Sequence, residues 1–583
     1  MITRRTQALI AAVVLTWTPQ SSAADERVAA DAKAVLTKFC FDCHGGPNDV
    51  GEDLNVLDLQ TLRKRPDSAK KKAYVVPGRP AESLIWDYVG LPRAGKFRMP
   101  KDEAPQPSAE ERSTLERWIA DGAEFPKAVG RRPIPARSTT AAIHKHVSSL
   151  PRADQPYHRY ILLDHLYNNA GVDDDLLGVY RAAVSKLVNS LSWQSTIAVP
   201  EVLEGTEKTV MVLDLRKLGW ELDDWKSVAK SYPYGVTHPD DVPLHDLERE
   251  VARLTGVRLP AFRADWFVAS VSRPPHYERL LRLPETLGEL EAKLSVDLPR
   301  NFSRDTLRRG GMVTSGVSRQ NRLVERHPTP YGAYWRSYDF ASSTERGNLL
   351  LFPLGPKFNG NPFMDRAFEQ AGGEVIFHLP NGLQGYMLAR ADDARLDAPA
   401  PVAIVRDRDE TSGTPEVVNG VSCIACHQFG MKTFTDEVRN YPAVFGEMAE
   451  KLNRLYAPKA EMDGLLALDE KKFLDALDLA VGPFLRGPGA EKKSVRDLIL
   501  FEPIGRVATL YKTDLSPAAV AAELESPDIE AVRAAVGGDR FRELGLGPLL
   551  DAKAVKRELW EGKGFSLFHR VSNELGRSRS EIR

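Results

Sequence analysis

The chain has 583 residues, which is long enough for two to four folded units. Apolar residues make up 42% of it and charged residues 27%, the balance of an ordinary soluble globular protein. The formal charge is only -1 at pH 7, so composition gives no argument for nucleic acid or an anionic membrane surface as a partner.

The N-terminal segment has the pattern of a signal peptide. Arg4 and Arg5 precede an apolar stretch over residues 8–15 that is too short to span a bilayer, and small residues follow at 21–24. We therefore predict a signal peptide over residues 1–24 and export to the periplasm. No later segment predicts a membrane span in the mature chain.

All four cysteines lie in two CxxCH motifs, Cys40-Phe-Asp-Cys43-His44 and Cys423-Ile-Ala-Cys426-His427. Two thiols at this spacing reach the vinyl groups of a haem, and the histidine that follows meets the iron from the proximal side. Zinc or a redox dithiol is the alternative, but paired zinc knuckles usually lie much closer together along a chain. We therefore predict two covalently attached haem c groups, with the four cysteines as attachment residues and His44 and His427 as iron ligands.

The residues around the first motif predict a small helical domain over residues 25–127. Apolar positions between Asp25 and Phe41 have helical spacing. A second helix is predicted after Ser108-Ala-Glu-Glu111, which is a capping box, and Gly122 stands where its C-terminal cap is expected. Two helices therefore bracket the haem-binding segment.

Met99 is the candidate sixth ligand of the first haem. It is the only methionine between the first motif and the capped helix, and a thioether ligand would raise the reduction potential. The alternative is that Met99 fills space in the core, which methionine does well.

The segment from about residue 30 to 127 resembles the planctomycete-type cytochrome c domain. The resemblance rests on the first CxxCH, the loop Pro77-Gly-Arg-Pro80-Ala-Glu-Ser83-Leu84, the Met99-Pro100 step and the helix that carries Trp118. It implies electron transfer, with Cys40, Cys43, His44 and Met99 in the haem-binding roles. Lys101 departs from the family, many members of which have a second proline there.

A proline-bearing polar stretch predicts a linker over residues 128–140. Beyond it we predict a larger α+β body, with a mixed α/β region over 141–410 and a helical region over 411–583 that carries the second motif. The predicted strands lie at 209–214, 348–353, 374–379 and 383–389. The last two form a hairpin around Pro380-Asn-Gly382. The fold class is thus mainly α with an α+β middle region.

Residues 138–450 resemble a group of large exported cytochromes of planctomycetes and other bacteria. Among the strings that carry the resemblance are Asp164-His-Leu-Tyr-Asn168, Gly316-Val-Ser-Arg-Gln-Asn321 and Leu379-Pro-Asn-Gly-Leu-Gln-Gly385. The resemblance implies an architecture and not a reaction. His378 stands where a small polar residue is expected in that group, which argues against a shared ligand role for it.

The sequence gives the second haem no clear sixth ligand. Met431 follows His427 too closely to reach the opposite side of the ring. His327 is the first candidate, followed by His165, Met448 and Met462, and the position could also be open. An open iron can bind peroxide, whereas a six-coordinate iron mainly passes electrons.

The favoured function is that of a periplasmic dihaem electron-transfer protein that exchanges electrons with redox partner proteins. The first alternative is a peroxidase or oxidase in which the second haem activates a substrate, although no peroxidase distal motif stands out and no catalytic residue is assigned. A binding module in which haem only stabilises the fold is the third hypothesis.

Overall fold

The computed structural model divides the chain into two compact units, residues 1–127 and 128–583. It describes residues 23–41, 43–44, 54–57, 59–65, 72–90, 98–101, 106–125, 131–316, 319–400, 402, 405–407, 411–441, 443–487, 490–499, 501–551, 553–562 and 566–577. Nearly all of the predicted signal peptide therefore lies outside the described residues. Helices account for about 46% and strands for 12%, so the protein is mixed α/β. No helix in the described ranges is long and apolar enough to cross a membrane.

The first unit is helical. Its helices are α1 (Ala23–Phe39), α2 (Leu59–Leu62), α3 (Leu84–Gly90) and α4 (Ala109–Ala120). The capping box of α4 is confirmed, because the Ser108 hydroxyl accepts from the Glu111 amide at 3.1 Å and the Glu111 carboxylate accepts from the Ser108 amide at 2.7 Å. Lys38 at the end of α1 pairs with Glu111 at 2.8 Å, which joins the two helices that bracket the first motif.

The second unit contains two small sheets among many helices. Its strands are β1 (His158–Leu162), β2 (Glu201–Val202), β3 (Val210–Asp214), β4 (Ala261–Arg263), β5 (Arg308–Met312), β6 (Arg322–Thr329), β7 (Gly332–Asp339), β8 (Gly372–His378) and β9 (Gln384–Arg390). Its helices are α5 (Ala136–Ser149), α6 (Asp164–Tyr167), α7 (Asp174–Ser190), α8 (Leu215–Leu218), α9 (Leu222–Ala229), α10 (Val242–Thr255), α11 (Ala264–Val271), α12 (His276–Leu280), α13 (Leu287–Lys293), α14 (Leu298–Ser303), α15 (Val421–Cys426), α16 (Glu447–Leu455), α17 (Lys459–Leu485), α18 (Val495–Leu498), α19 (Pro503–Lys512), α20 (Pro517–Glu523), α21 (Ile529–Val536), α22 (Gly538–Glu543), α23 (Arg557–Glu561) and α24 (Leu567–Glu574).

The four-stranded sheet has the order β2-β3-β1-β4, with β1 parallel to β4 and antiparallel to β3. The five-stranded sheet is an antiparallel meander in the order β5-β6-β7-β8-β9. The predicted hairpin is confirmed as β8 and β9. Its turn is closed by the Leu379 amide on the Leu383 carbonyl at 2.8 Å, and Gly382 has φ 92° there, a conformation that favours glycine.

Two sequence predictions about local structure are wrong. Residues 348–353 form turns and not a strand, because the Asn348 side chain accepts from the Leu350 amide at 3.1 Å and its carbonyl accepts from the Leu351 amide at 3.1 Å. The predicted linker is also too long. Helix α5 already begins at Ala136, where Thr139 is buried and its hydroxyl donates to Asp164 at 3.2 Å.

The predicted division near residue 410 does not separate two compact units. Helix α17, from the C-terminal region, packs along α7 from the middle region, and the Ser185 hydroxyl donates to the Ala480 carbonyl at 2.6 Å. Residues from both predicted regions thus share one core.

The carboxylate of Asp469, on α17, fastens this helix to the five-stranded sheet. Both Asp469 oxygens accept from Arg326 of β6 at 2.8 Å, and one accepts from the Trp335 indole of β7 at 2.8 Å. The Asp469 carbonyl also lies 3.2 Å from Nε2 of His378 on β8. Since side chains alternate along strands, these contacts define one side of the sheet, here named the α17 face.

We predict that Asp469→Ala lowers the free energy of unfolding by about 3–5 kcal/mol, because it leaves the Arg326 guanidinium buried without its carboxylate. Denaturant unfolding followed by circular dichroism measures the change. The control is Asp463→Ala on the same helix, which removes an exposed pair with Lys459 and should have a much smaller effect. Equal effects of the two substitutions would contradict the role given to Asp469.

Candidate haem sites

The first motif begins where α1 ends. The His44 amide donates to the Cys40 carbonyl at 3.0 Å, so the chain turns directly after the helix and brings the thiols and the imidazole onto one short turn. Cys40 is buried and Cys43 is exposed. The Val56 amide in turn donates to the His44 carbonyl at 3.0 Å, which connects the motif to the next described segment. This geometry fits the two thioether links and one axial ligand of haem c.

Burial, together with the neighbouring Cys43, raises the pKa of the Cys40 thiol to about 12. Redox-active and zinc-binding cysteines act as thiolates and have lowered pKa values. Burial therefore disfavours a redox role in which Cys40 acts as a thiolate.

Met99 lies in a segment that is held from both sides. Its amide donates to the Tyr88 carbonyl of α3 at 3.3 Å, and the Gln106 side chain donates to the Pro100 and Lys101 carbonyls at 3.0 and 3.2 Å. The same Gln106 accepts from Arg98 at 2.9 Å. The half-buried Met99 is thus fixed between α3 and α4, and its ligation of iron stays a prediction.

The second motif forms α15, which is closely packed against neighbouring residues. Gly420 directly precedes this helix with φ 84°, and a side chain at this position would meet Tyr277. On another side, Ala425 lies against Gly505 of α19. Cys423 is buried and Cys426 is exposed, the same alternation as in the first motif. The Lys432 ammonium lies 2.9 Å from the Cys426 sulfur.

His427 is oriented as a proximal haem ligand would be. Its Nδ1 lies 3.0 Å from the Gly430 carbonyl, and its ring centroid is 6.1 Å from that of Tyr386 on β9. Metal-ligating histidines usually donate from their second ring nitrogen to such an acceptor, which leaves Nε2 for the metal. Gly430 lies against Phe473 of α17, so the helix that Asp469 anchors also supports this acceptor.

The protonation state of His427 also suits ligation. Burial, with further contributions from Lys432 and Arg322, lowers the pKa of His427 to about 4. The imidazole is therefore neutral near pH 7 and has a lone pair for iron. The residues present fit a covalently bound haem.

The structure does not favour His327 as the sixth ligand of a haem bound at the second motif. Its Nδ1 lies 3.0 Å from the Asn301 amide nitrogen and its Nε2 lies 2.7 Å from Glu325. In the strand register Arg326, Trp335 and Ile376 align with Tyr386, whereas His327 is in the next row and faces the other side of the sheet. His327 would have to break both hydrogen bonds and leave its side of the sheet to reach a haem on His427.

The other candidates are also engaged elsewhere. His165 Nε2 lies 3.0 Å from Asp265, and the second carboxylate, Asp164, is 3.8 Å from its Nδ1. Burial opposes the charge, but the two carboxylates outweigh it and raise the pKa of His165. A protonated ring has no lone pair for iron. Met448 and Met462 pack in apolar clusters.

Sequence reasoning missed Tyr386 and Gly430, which contact the His427 ring, and Lys432, which lies beside the Cys426 sulfur. Gly430 follows the motif histidine by three residues, and a local turn brings its carbonyl to the His427 ring. This short spacing is the one feature of the sequence that could have predicted the contact. Tyr386 comes from a distant strand and had no such signal. The predicted ordinary role of His378 is consistent with its contacts, since Nδ1 accepts from the Ala333 amide at 3.1 Å and Nε2 faces the Asp469 carbonyl.

Residues 40–103 match the family described as Planctomycete cytochrome C, which confirms the resemblance of the N-terminal segment to a planctomycete-type cytochrome c domain. The resemblance of residues 138–450 to large exported cytochromes stays a prediction. The matched segment contains the first motif and Met99 but not the second motif. Comparisons with curated proteins and with solved structures give no match. Within the described ranges, no group of three or more His, Cys, Asp and Glu side chains converges to hold a metal ion.

We predict that His165→Gln changes how stability depends on pH. Because its folded pKa is raised, His165 stabilises the fold fully below its unfolded pKa of about 6.5, and this contribution is lost as pH rises through the higher folded value. Thermal unfolding between pH 6 and 9 should show this loss in the wild type and not in the variant. His144→Gln, in α5, is the control and should keep the wild-type profile.

We predict that Met99→Ala abolishes the near-infrared methionine-to-iron band and lowers one reduction potential by on the order of 0.1 V, a fraction of the range of about 0.8 V that axial ligands span. Spectroscopy and potentiometry of the oxidised and reduced protein measure both. Met448→Ala is the matched control. If the Met99 variant keeps the band, Met99 is not the ligand.

Proposed function

Because the chain carries a planctomycete-type cytochrome c domain, we propose that it is an exported periplasmic cytochrome that transfers electrons through two covalently bound haems. A cytochrome c domain implies covalently bound haem c and haem-based electron transfer. The observation that carries the second haem is the His427 ring, whose Nδ1 faces the Gly430 carbonyl beside two cysteines at haem-attachment spacing.

The surroundings of the two motifs support different roles. At the first, the segment that holds Met99 is braced by Gln106, which favours a fixed methionine ligand and a high potential. At the second, His427 is held among α15, β9 and α17, where burial keeps it neutral. Haem iron supplies the change of oxidation state, and the chain sets the ligands, burial and solvent access that tune it. Redox proteins are the expected partners.

A count of haems tests the proposal. Pyridine haemochrome analysis of the purified full chain should give two haems for the wild type and one for the double substitution Cys423→Ala and Cys426→Ala. The double substitution Cys40→Ala and Cys43→Ala should also give one haem per chain. In this variant the spectrum of the first haem should be lost and that of the second kept. A wild-type count of one would refute the dihaem assignment and leave only the N-terminal cytochrome.

The second candidate function is a peroxidase or oxidase. One observation favours it: the four candidates for a sixth ligand are engaged elsewhere. His327 and His165 are hydrogen-bonded to carboxylates, and Met448 and Met462 pack in apolar clusters. An iron without a sixth protein ligand would be open to peroxide or another small ligand.

Carbon monoxide separates the two functions. If the second iron is open, the reduced protein should bind one carbon monoxide per chain, and peroxide should change the spectrum of the oxidised protein. His327→Ala should leave carbon monoxide binding unchanged, because the imidazole lies on the other side of the sheet. If the wild type binds none and the His327 variant binds one, both the open position and the placement of His327 are wrong.

A further inference from the structure

The side chain of Lys432 brings a positive charge to the second motif. Its ammonium lies 2.9 Å from the sulfur of Cys426, the exposed attachment residue that directly precedes His427. Lys432 is exposed as well, so both residues of this contact face solvent. A lysine ammonium carries a full charge, whereas a cysteine sulfur is only a weak hydrogen-bond acceptor. The contact therefore does not neutralise the charge of Lys432.

The backbone that carries Lys432 is held on both sides of this residue. Two residues earlier, Gly430 has φ 94° and lies against Phe473 of α17. Two residues later, the ring of Phe434 lies against Gly310 of β5. The chain cannot carry Lys432 away from the motif without losing one of these contacts. The position of the ammonium beside Cys426 therefore follows from the packing of the segment and not only from the flexible side chain.

A second cation of the five-stranded sheet, Arg322 of β6, is compensated by carboxylates. Its guanidinium donates to both oxygens of Asp339, to one of them at 3.0 Å, and lies 3.3 Å from Glu374. The described hydrogen bond of Lys432 goes to a sulfur instead. A cation that is paired with carboxylates has a weak net field at a distance, because the opposite charges nearly cancel. Of these two cations, Lys432 therefore has the larger net effect on its surroundings.

The charge of Lys432 is close enough to act on a group bound at His427. Consecutive Cα atoms lie about 3.8 Å apart, so the ammonium beside the Cys426 sulfur is within about 10 Å of the His427 backbone. This distance is comparable to the screening length of about 8 Å at physiological ionic strength. The interaction is therefore present under these conditions and should weaken as salt is added.

We propose that Lys432 raises the reduction potential of the second haem and thereby determines which electron donors can reduce it. An oxidised haem iron carries one more positive charge than a reduced one, so a nearby ammonium disfavours the oxidised form. Lys432 acts through its charge and not as a ligand. The proposal rests on the proposed function, because it presupposes haem at Cys423 and Cys426.

The test is a redox titration of the full chain, followed by visible absorption. The variant with Cys40→Ala and Cys43→Ala, which should carry only the second haem, shows which of the two potentials belongs to that haem. Lys432→Gln removes the charge and should lower the equilibrium constant for reduction of the second haem at least about threefold, which is about 28 mV for one electron. Lys432→Glu reverses the charge and should lower it about tenfold, or about 59 mV. The potential of the first haem should stay unchanged in both variants.

Two control variants and a change of salt separate charge from shape. Lys432→Arg keeps the charge and should keep the wild-type potential. Lys459→Gln removes an exposed ammonium that is paired with Asp463 on α17, and it should change neither potential. The difference between wild type and Lys432→Gln should shrink between about 0.1 and 1 M salt, where the screening length falls from about 10 to 3 Å. A side chain that only shaped the site would not produce an effect that follows both charge and salt.

Equal potentials of the second haem in wild type and Lys432→Gln would overturn the proposal. An equal decrease in Lys432→Arg and Lys432→Gln would also overturn it, because the charge would then not be the cause. Circular dichroism shows whether each variant folds, and if Lys432→Glu does not, Lys432→Gln carries the test with the same expected direction. Failure of the proposed function is recognised separately, since the wild type would then contain one haem and not two. Two haems with an unchanged potential would keep the function and reject the role of Lys432.

Discussion

The ion pair between Asp469 of α17 and Arg326 of β6 joins this helix to the five-stranded sheet of the second unit. Asp469 is only 2% exposed. Its buried carboxylate is tolerated because the Arg326 guanidinium and the Trp335 indole both donate hydrogen bonds to it. Its carbonyl reaches a third strand through His378. One residue of a helix thereby holds three strands in register, and α17 then packs on α7 to close the core.

The proposed second haem site depends on this arrangement. Phe473, one turn beyond Asp469 on α17, lies against Gly430, whose carbonyl orients His427. The strand alternation that places Tyr386 next to His427 also sends His327 to the other side of the sheet. The Asp469 anchor that stabilises the fold therefore also determines which side chains can approach the haem proposed at the second motif.

The two haem motifs are alike in sequence and unlike in surroundings. The first lies in a small helical unit in which Met99 is braced as a candidate ligand. The second lies against a sheet, and its four sequence candidates for a sixth ligand are engaged in other contacts. This contrast is why the electron-transfer and enzymatic hypotheses differ only at the proposed second haem.

The sequence by itself determined the features that depend on neighbouring residues. The CxxCH motifs, the Ser108 capping box and the hairpin at Gly382 follow from short spacings and local backbone preferences, and the capping box and hairpin are confirmed. The tertiary structure alone decided the role of Asp469 and the face on which His327 lies. Those features arise from contacts between residues far apart in the chain. A shift of one residue in strand register would move each side chain of the shifted strand to the opposite face of the sheet.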